Sequence, residues 1–440
     1  MKSQLLIGAT GSGCGKTTFT AGLLRLIKRR GMNVQPFKCG PDYIDPHYHK
    51  LSAGCESVNL DSWLASPAHV QYLYNRYAAP AEVCVVEGVM GLFDGYVKMH
   101  GSSAETARLL NIPVVLIVNA RSVAYSVAPV IYGFKHFNPE VHIVGVVFNR
   151  TASATHASYL KEACADVGVE CFGCLPRIND LEIPSRHLGL TTDASFQFEQ
   201  LIEKTADAIA ANVDIDRLLE VCRQAVLPEV TVIPPSQLPD RGLSIAVARD
   251  EAFTFTYKEN IARLEQMGTV TYFSPIKDQT LPPADLVYLP GGYPEFYLNE
   301  LSANRPMLEA IRSYVENGGK LLAECGGMMY LGRSITGMDG VNYPLVGVLA
   351  QEATMSGMRL HLGYRRFALN GTEWKGHEFH YSSIVGGDAI PFSIAQQYNV
   401  RDEKVDTPVY RYRNVIASYT HLYWGENDVM DLWKAEPAGP

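Results

Sequence analysis

Gly11-Ser12-Gly13-Cys14-Gly15-Lys16-Thr17-Thr18 lies between an apolar run, Leu5–Ala9, and a stretch of helical periodicity that begins at Thr17. A glycine-rich turn joining a strand to a helix points to a parallel α/β sheet with helices on its faces. The glycines let consecutive backbone N–H groups close around phosphate oxygens. Lys16 can reach the outer phosphates, and the Thr17 hydroxyl can ligate Mg²⁺. Gly11, Gly13, Gly15, Lys16, Thr17 and Thr18 are therefore candidate ATP-binding residues. The strictest form of the loop has glycine where this chain has Thr10, so the match is a variant. Over Thr17–Arg30, Phe19, Leu23, Leu24, Leu26 and Ile27 fall mainly on one face, and Gly31 ends the helix.

Short β-branched runs alternate with amphipathic stretches through the first half of the chain. The predicted strands are Leu5–Ala9, Val34–Lys38, Val83–Glu87, Val114–Val118, Ile143–Phe148 and Glu170–Leu175. Proline-rich residues 227–242 interrupt the pattern and read as a linker. The α/β pattern restarts at Leu243–Ala248, with strands near Val270–Phe273, Leu286–Leu289 and Lys320–Ala323. Two α/β domains are thus expected, 1–226 and 243–435, each with a parallel sheet.

Parallel strands deliver their C-terminal residues to the ligand crevice. Val83–Glu87 ends on a carboxylate, which makes Glu87 a candidate Mg²⁺ ligand with Thr17 and Asp45. Asp94 lies in the loop after that strand, and Asp42, Tyr43 and His47 follow the strand Val34–Lys38. In the second domain, Lys320–Ala323 runs into Glu324-Cys325-Gly326-Gly327, a strand, a sharp turn and a helix start. A cysteine at a helix N-terminus is expected to favour thiolate, and nearby N–H groups can stabilise an oxyanion. Cys325 is the candidate nucleophile.

The chain has 440 residues, 47% hydrophobic and 19% charged, with a net charge of -8. That balance argues against a nucleic-acid binder. No apolar run reaches the ~18 residues that a membrane span needs. Met1-Lys2-Ser3-Gln4 runs straight into a strand pattern without a signal-peptide layout. Nine irregularly spaced cysteines point to reduced thiols in the cytoplasm. Cys171-Phe172-Gly173-Cys174 is a single CxxC and reads as strand-borne core cysteines.

Several longer motifs carry a resemblance. Lys38–Pro46, Glu87–Gly95, Pro184–Leu190, Leu289–Glu295, Ala323–Met328 and Gly376–Ser382 together resemble the cobyrinate a,c-diamide synthase family. The resemblance runs in order from Gly8 to about Trp424. It implies a P-loop domain similar to dethiobiotin synthetase, followed by a flavodoxin-like class I glutamine amidotransferase domain. It also implies ATP- and Mg²⁺-dependent amidation of the a and c acetates of cobyrinic acid, with glutamine as nitrogen donor.

Residue roles follow from the same resemblance. Cys325 would attack the glutamine amide, His421 would be its base, and the N–H groups of Gly292 and Gly326 would form the oxyanion hole. Asp94 would place the substrate carboxylate or its acyl phosphate, and Asn149 would contact adenine. Tyr43, Asp42, His47, Arg186 and His187 would line the macrocycle side; Arg186, His187, Arg150 and Lys38 are candidates to pair with its carboxylates, and each is equally a candidate for a structural ion pair. Many class I amidotransferases carry a glutamate two residues after the histidine; here that residue is Tyr423, and Glu378 is the substitute considered. Asn119 stands where relatives usually have aspartate and receives no role. Hydrogenobyrinic acid and nickel sirohydrochlorin remain alternative substrates, and a homodimer is left open. Cobyric acid synthase and a P-loop switch ATPase are the competing readings. Gly11, where partitioning ATPases have a signature lysine, weighs against the latter.

Overall fold

The computed structural model describes residues 1–177, 198–225, 237–385 and 393–434. Arg186 and His187 lie outside them. The chain divides into two compact units, Met1–Pro234 and Pro235–Pro440. All nine cysteines are free thiols. Among the described residues no helix is long and apolar enough to cross a membrane.

The first unit runs β1 (Lys2–Ala9), α1 (Lys16–Arg29), β2 (Val34–Cys39), α2 (Ile44–Ala53), β3 (Val58–Leu60), α3 (Pro67–Ala78), β4 (Val83–Glu87) and α4 (Ser103–Leu110). It continues β5 (Val114–Asn119), α5 (Val127–Phe137), β6 (Ile143–Thr151), α6 (Ala154–Asp166), β7 (Glu170–Pro176), α7 (Phe198–Asn212), α8 (Ile215–Val221) and β8 (Arg223–Gln224). The sheet order is β3-β2-β4-β1-β5-β6-β7, all parallel, and β8 pairs antiparallel with the start of β1. The six predicted strands are present, each within a few residues of its expected ends. One sheet face packs Leu5, Ile7, Val83, Val85, Val115 and Ile117 against Phe19, Leu23 and Ile27 of α1. Burial at about 25 cal/mol per Å² makes that apolar layer the main stabilising term.

The register matters for function. Ile7 pairs with Glu87, Glu87 with Lys38, and Asn119 with Asn149. Lys38, Glu87, Asn119 and Asn149 therefore lie at or within two residues of their strands' C-terminal ends, on the edge that carries the phosphate loop.

In the second unit β9 (Leu243–Ala248), α9 (Lys258–Met267), β10 (Gly268–Phe273), β11 (Leu286–Leu289), α10 (Leu298–Ala303), α11 (Arg305–Glu316), β12 (Lys320–Glu324) and α12 (Gly326–Leu331) repeat the α/β plan. The strands β13 (Ser334–Thr336), β14 (Asn342–Pro344), β15 (Glu352–Thr354), β16 (His361–Leu369), β17 (Thr372–His380) and β18 (Ser383–Val385) follow. The last are β19 (Gln397–Tyr398), β20 (Lys404–Val405), β21 (Val409–Tyr412), β22 (Val415–Ser418) and β23 (Thr420–Tyr423). The central sheet is β10-β9-β11-β12-β22-β21, parallel except for β21. Alternation along its strands feeds two cores: Ala246, Leu289 and Ala323 on one face, Ile245, Tyr288 and Leu322 on the other. A mixed sheet, β14-β13-β15-β18, in which β13 and β15 run parallel, and an antiparallel sheet, β20-β19-β16-β17-β23, were not expected from the sequence. Their strands mix His, Arg and Glu with apolar residues and give no clean period-2 signal.

Gly327 shows how tightly α12 sits on this sheet: a Cβ there would lie 2.2 Å from the Leu289 carbonyl oxygen. Gly327→Ala should cost roughly 1–3 kcal/mol by overpacking. The measurement is the denaturant midpoint of the second unit, which should fall; an unchanged midpoint would contradict this packing.

Candidate active sites

In the first unit, Gly13 and Gly15 take φ of 73° and 95°, which turns the phosphate loop into α1. Glycine is required at Gly15 for a second reason: a Cβ would lie 2.2 Å from the Asn149 amide nitrogen. That amide donates to the Cys14 carbonyl at 2.9 Å, and Arg150 donates to the Gly13 carbonyl at 3.1 Å. Asn149 and Arg150 thus brace the loop from β6. Lys16 donates to the Met90 carbonyl. Burial and the neighbouring Lys38 charge hold the Lys16 ammonium below its ordinary value, with Glu87 opposing.

Beneath the loop lies a buried ionic cluster. Glu87 is fully buried and accepts from the Thr17 hydroxyl at 2.8 Å. Its other oxygen lies 2.6 Å from His49 Nε2, and His49 Nδ1 is 3.0 Å from the Ser57 hydroxyl. Lys38 Nζ sits 2.9 Å from Asp45, 3.5 Å from Glu87 and 4.0 Å from Asp42. Burial pulls the Lys38 ammonium down, but Asp45, Glu87 and Asp42 outweigh it and hold it above its ordinary value. Of the two readings of Lys38, the structure shows the ion pair: a buried cation held among carboxylates. His49 had no sequence signal, being one histidine among ordinary helix residues.

The remaining predicted residues spread around this cluster. Asp42 Oδ1 accepts from the Ile44 N–H at 2.8 Å and caps α2. Tyr43 is half-buried and His47 exposed beside it. Asp94 is exposed, accepts from the Gly91 N–H at 2.9 Å, and shares its loop with Leu92, whose N–H bonds the Ala9 carbonyl at the end of β1. Asn119 accepts from the Arg121 N–H at 3.0 Å within its own turn.

In the second unit, Cys325 follows β12 at the start of α12 with φ 47° and ψ −107°, a conformation that costs of order 1–3 kcal/mol in a non-glycine residue. The Cys325 N–H donates to the Ser418 carbonyl at 2.7 Å, and its thiol lies 3.6 Å from the Phe379 carbonyl. Gly292 comes close behind the turn: a Cβ on Gly326 would sit 3.2 Å from the Gly292 nitrogen. Gly291 packs on the His421 ring, where a Cβ would lie 2.1 Å from Cε1. The Gly291–Gly292 pair thus links the cysteine turn to the histidine. His421 is fully buried, on β23, just after β22 ends at Ser418.

Electrostatics here depart from expectation. Burial, then Glu295, pushes the Cys325 thiol well up, with only the Gly326 N–H opposing. Burial also lowers His421 to about 3. The resting pair is a neutral thiol and a neutral imidazole, because α12 has six residues and desolvation outweighs its weak dipole. Nearby, Glu324 accepts from Tyr288 at 2.7 Å and from the Leu422 N–H at 2.9 Å. Burial pushes its carboxyl up to about 8.

Glu378 cannot serve as the third member. It pairs with Thr420 while His377 pairs with His421, so Glu378 points to the opposite sheet face. Its oxygens are held by Arg365, by His380 at 2.8 Å and by Thr407 at 2.8 Å. Burial would raise its carboxyl, but these partners lower it to about 2. Ligand atoms of His361, Glu378 and His380 lie within 4.8 Å of one another. The geometry is nevertheless poor for a metal: the two imidazoles stack in parallel at 4.8 Å, and both His380 nitrogens are already engaged.

Two enzymatic halves are thus defined by fold and site: a nucleotide-loop α/β unit and an amidotransferase-type unit with a cysteine at a strand-to-helix turn. Residues 5–190 match the CobQ/CobB/MinD/ParA nucleotide binding domain, and residues 244–429 match the CobB/CobQ-like glutamine amidotransferase domain. The chain is 40% identical over 433 residues to the hydrogenobyrinate a,c-diamide synthase of Brucella suis biovar 1, covering 95% of this chain and 97% of that protein. It is 38% identical over 445 residues to the cobyrinate a,c-diamide synthase of Dehalococcoides mccartyi, covering 96% of each. A cobyrinate a,c-diamide synthase of Listeria monocytogenes serotype 4b is 37% identical over 443 residues, with 97% of each covered. The chain belongs to the a,c-diamide synthase family, as its motifs led one to expect.

Two predictions come from these geometries. Lys38→Met leaves Asp45 and Glu87 buried without their cation and should destabilise the first unit by roughly 3–5 kcal/mol. Equilibrium unfolding checks it; a loss under 1 kcal/mol would show the cluster to be solvated. In the second unit His377 and His421 are both lowered to about 3, first by burial. A depressed histidine contributes stability that is present above about 6.5 and lost as pH falls toward 3, at up to about 1.4 kcal/mol per pH unit for each. Unfolding free energy should decline steadily from pH 6.5 to pH 4; a flat profile would mean that the two are not buried neutral groups.

Proposed function

We propose that this enzyme uses ATP and glutamine to convert the a and c acetate carboxylates of cobyrinic acid, a corrin-type macrocycle, to amides. The observation that carries this reading is identity near 40% to named a,c-diamide synthases along almost the whole chain, through both candidate sites. We assign residues 1–226 to ATP-dependent synthesis and 243–435 to glutamine hydrolysis, with 227–242 between them. The cytoplasm is the proposed compartment, in keeping with nine free thiols.

In the amidotransferase unit, Cys325 Sγ attacks the glutamine amide carbonyl and its proton passes to His421. The carbonyl oxygen becomes an oxyanion facing the Gly292 and Gly326 N–H groups, whose backbones lie together behind the turn. His421 returns the proton to the leaving nitrogen, ammonia departs, and water hydrolyses the thioester to glutamate. In the synthetase unit, ATP transfers its γ-phosphoryl group to a substrate carboxylate. The acyl phosphate supplies a leaving group that a carboxylate lacks, and ammonia displaces phosphate to form the amide. Lys16 and the loop N–H groups neutralise the transferring charge.

Thr17, Glu87 and Asp45 offer hard oxygen donors suited to Mg²⁺, and the 2.8 Å approach of Thr17 to Glu87 already brings two of them together. Mg²⁺ would supply charge neutralisation at the phosphates; His49 orients Glu87 from behind. Asp94 and Asn149 are assigned to the substrate carboxylate and to the nucleotide side. Asp42, Tyr43 and His47 are assigned to the macrocycle.

A second substrate, hydrogenobyrinic acid, is favoured by the name of the Brucella relative. Incubating the enzyme with ATP, Mg²⁺, glutamine and each macrocycle, then counting amides by mass spectrometry, separates the two. Two amides on neither macrocycle would refute the proposal, and two on nickel sirohydrochlorin alone would move the chemistry to that substrate. Cys325→Ser should abolish glutamine-supported amidation and leave ammonia-supported amidation intact. Lys16→Ala should abolish both, by roughly 10²-fold or more given the electrostatic role of such groups.

A further inference from the structure

His421 lacks the glutamate that often follows such a histidine by two residues; Tyr423 stands there and packs edge-on against Tyr257 at 5.4 Å. Glu378 is on the wrong face, and the Glu324 oxygens are taken by Tyr288 and the Leu422 N–H. The group directly opposite His421 is His377, across the antiparallel β17–β23 ladder. Directly paired residues share a sheet face with Cβ atoms roughly 4.5–5.5 Å apart. Tyr364 continues the same row on β16 and packs edge-on against His377 at 5.6 Å.

His377 is 8% exposed, and its Nδ1 is buried with no hydrogen-bond partner. A buried nitrogen left without a partner is a net cost to folding, so a purely structural histidine is a poor explanation for it. The cost makes sense if that nitrogen is used only during turnover. When His421 takes the Cys325 proton it becomes an imidazolium with a second N–H that needs an acceptor. We propose that His377 is the positioning residue for His421, its free Nδ1 lone pair accepting from the His421 imidazolium where related sites use a carboxylate. Among the described residues, Glu324 lies by the Leu422 N–H, Lys375 shares the β17 face two residues from His377, and Glu378 and His380 lie on the reverse face. None of these occupies its register position.

This inference rests on the glutamine-hydrolysing reading, and the test separates the two. Glutaminase kinetics are measured on the full chain as wild type, Cys325→Ala, His377→Ala and His377→Asn, with ammonia-supported amidation as the control for folding. His377→Ala should lower glutaminase kcat by roughly 10–100-fold, the usual loss when a supporting partner is removed, with KM for glutamine nearly unchanged. His377→Asn places an amide oxygen near the lost Nδ1 and should recover most of that loss. Ammonia-supported amidation should be unchanged in both. Wild-type kcat in His377→Ala, failure of Asn to recover activity, or parallel loss of ammonia-supported amidation would each overturn the assignment. Absence of Cys325-dependent glutaminase activity in the wild type would instead refute the amidotransferase reading.

Discussion

A parallel strand that stops on a polar residue forces that side chain, and the turn after it, onto one edge of the sheet. Both units are organised by this constraint. In the first, β1, β2, β4 and β6 end near Ala9, Cys39, Glu87 and Thr151, and their loops converge on the phosphate loop. In the second, β11, β12 and β22 end at Leu289, Glu324 and Ser418, which brings Gly292, Cys325 and the start of β23 together. Neither site needs a long loop to hold its chemistry, because hydrogen bonds of the sheet fix the spacing.

The two edges handle charge in opposite ways. At the phosphate edge, Lys38 neutralises Asp45 and Glu87 inside the protein, so ionic groups persist at full burial. That arrangement keeps a charged, oriented oxygen beside Thr17 for a polyanionic ligand. At the cysteine edge desolvation decides: burial raises the thiol and lowers the imidazole, so both rest neutral. Charge there is created only when a proton moves during attack, and the neighbouring N–H groups are already placed for it.

Much of this was legible in the sequence, for identifiable reasons. Val83–Glu87 and Leu286–Leu289 match their expected ends because a strand buried on both faces is a near-continuous apolar run. Gly11–Thr18 and Cys325 were legible because glycine turns advertise themselves. The β16–β17–β23 sheet was not, since one face carries Arg365, Glu378 and His380 and the other His377 and His421, which leaves no apolar alternation. His49 and His377 acquire meaning only through partners 38 residues or more away, Glu87 for one and a strand register for the other. Lys38 stayed open between substrate contact and ion pair in the sequence, because the carboxylates that hold it, Asp45 and Glu87, meet it only in space.

The register that pairs His377 with His421 also bears on why an imidazole suits that position. Burial pushes acids near the cysteine turn up to about 7 at Glu295 and about 8 at Glu324, so at neutral pH the first is about half protonated and the second mostly so. Glu378 stays ionised because Arg365 and His380 hold it on the reverse face. Position 377 lies buried between Tyr364 and His421. A carboxyl group placed there would face the same desolvation as Glu324 and tend toward the neutral acid, which can no longer accept with both oxygens. A neutral imidazole keeps one lone pair without carrying charge, and so remains an acceptor at a depth where a carboxylate would not.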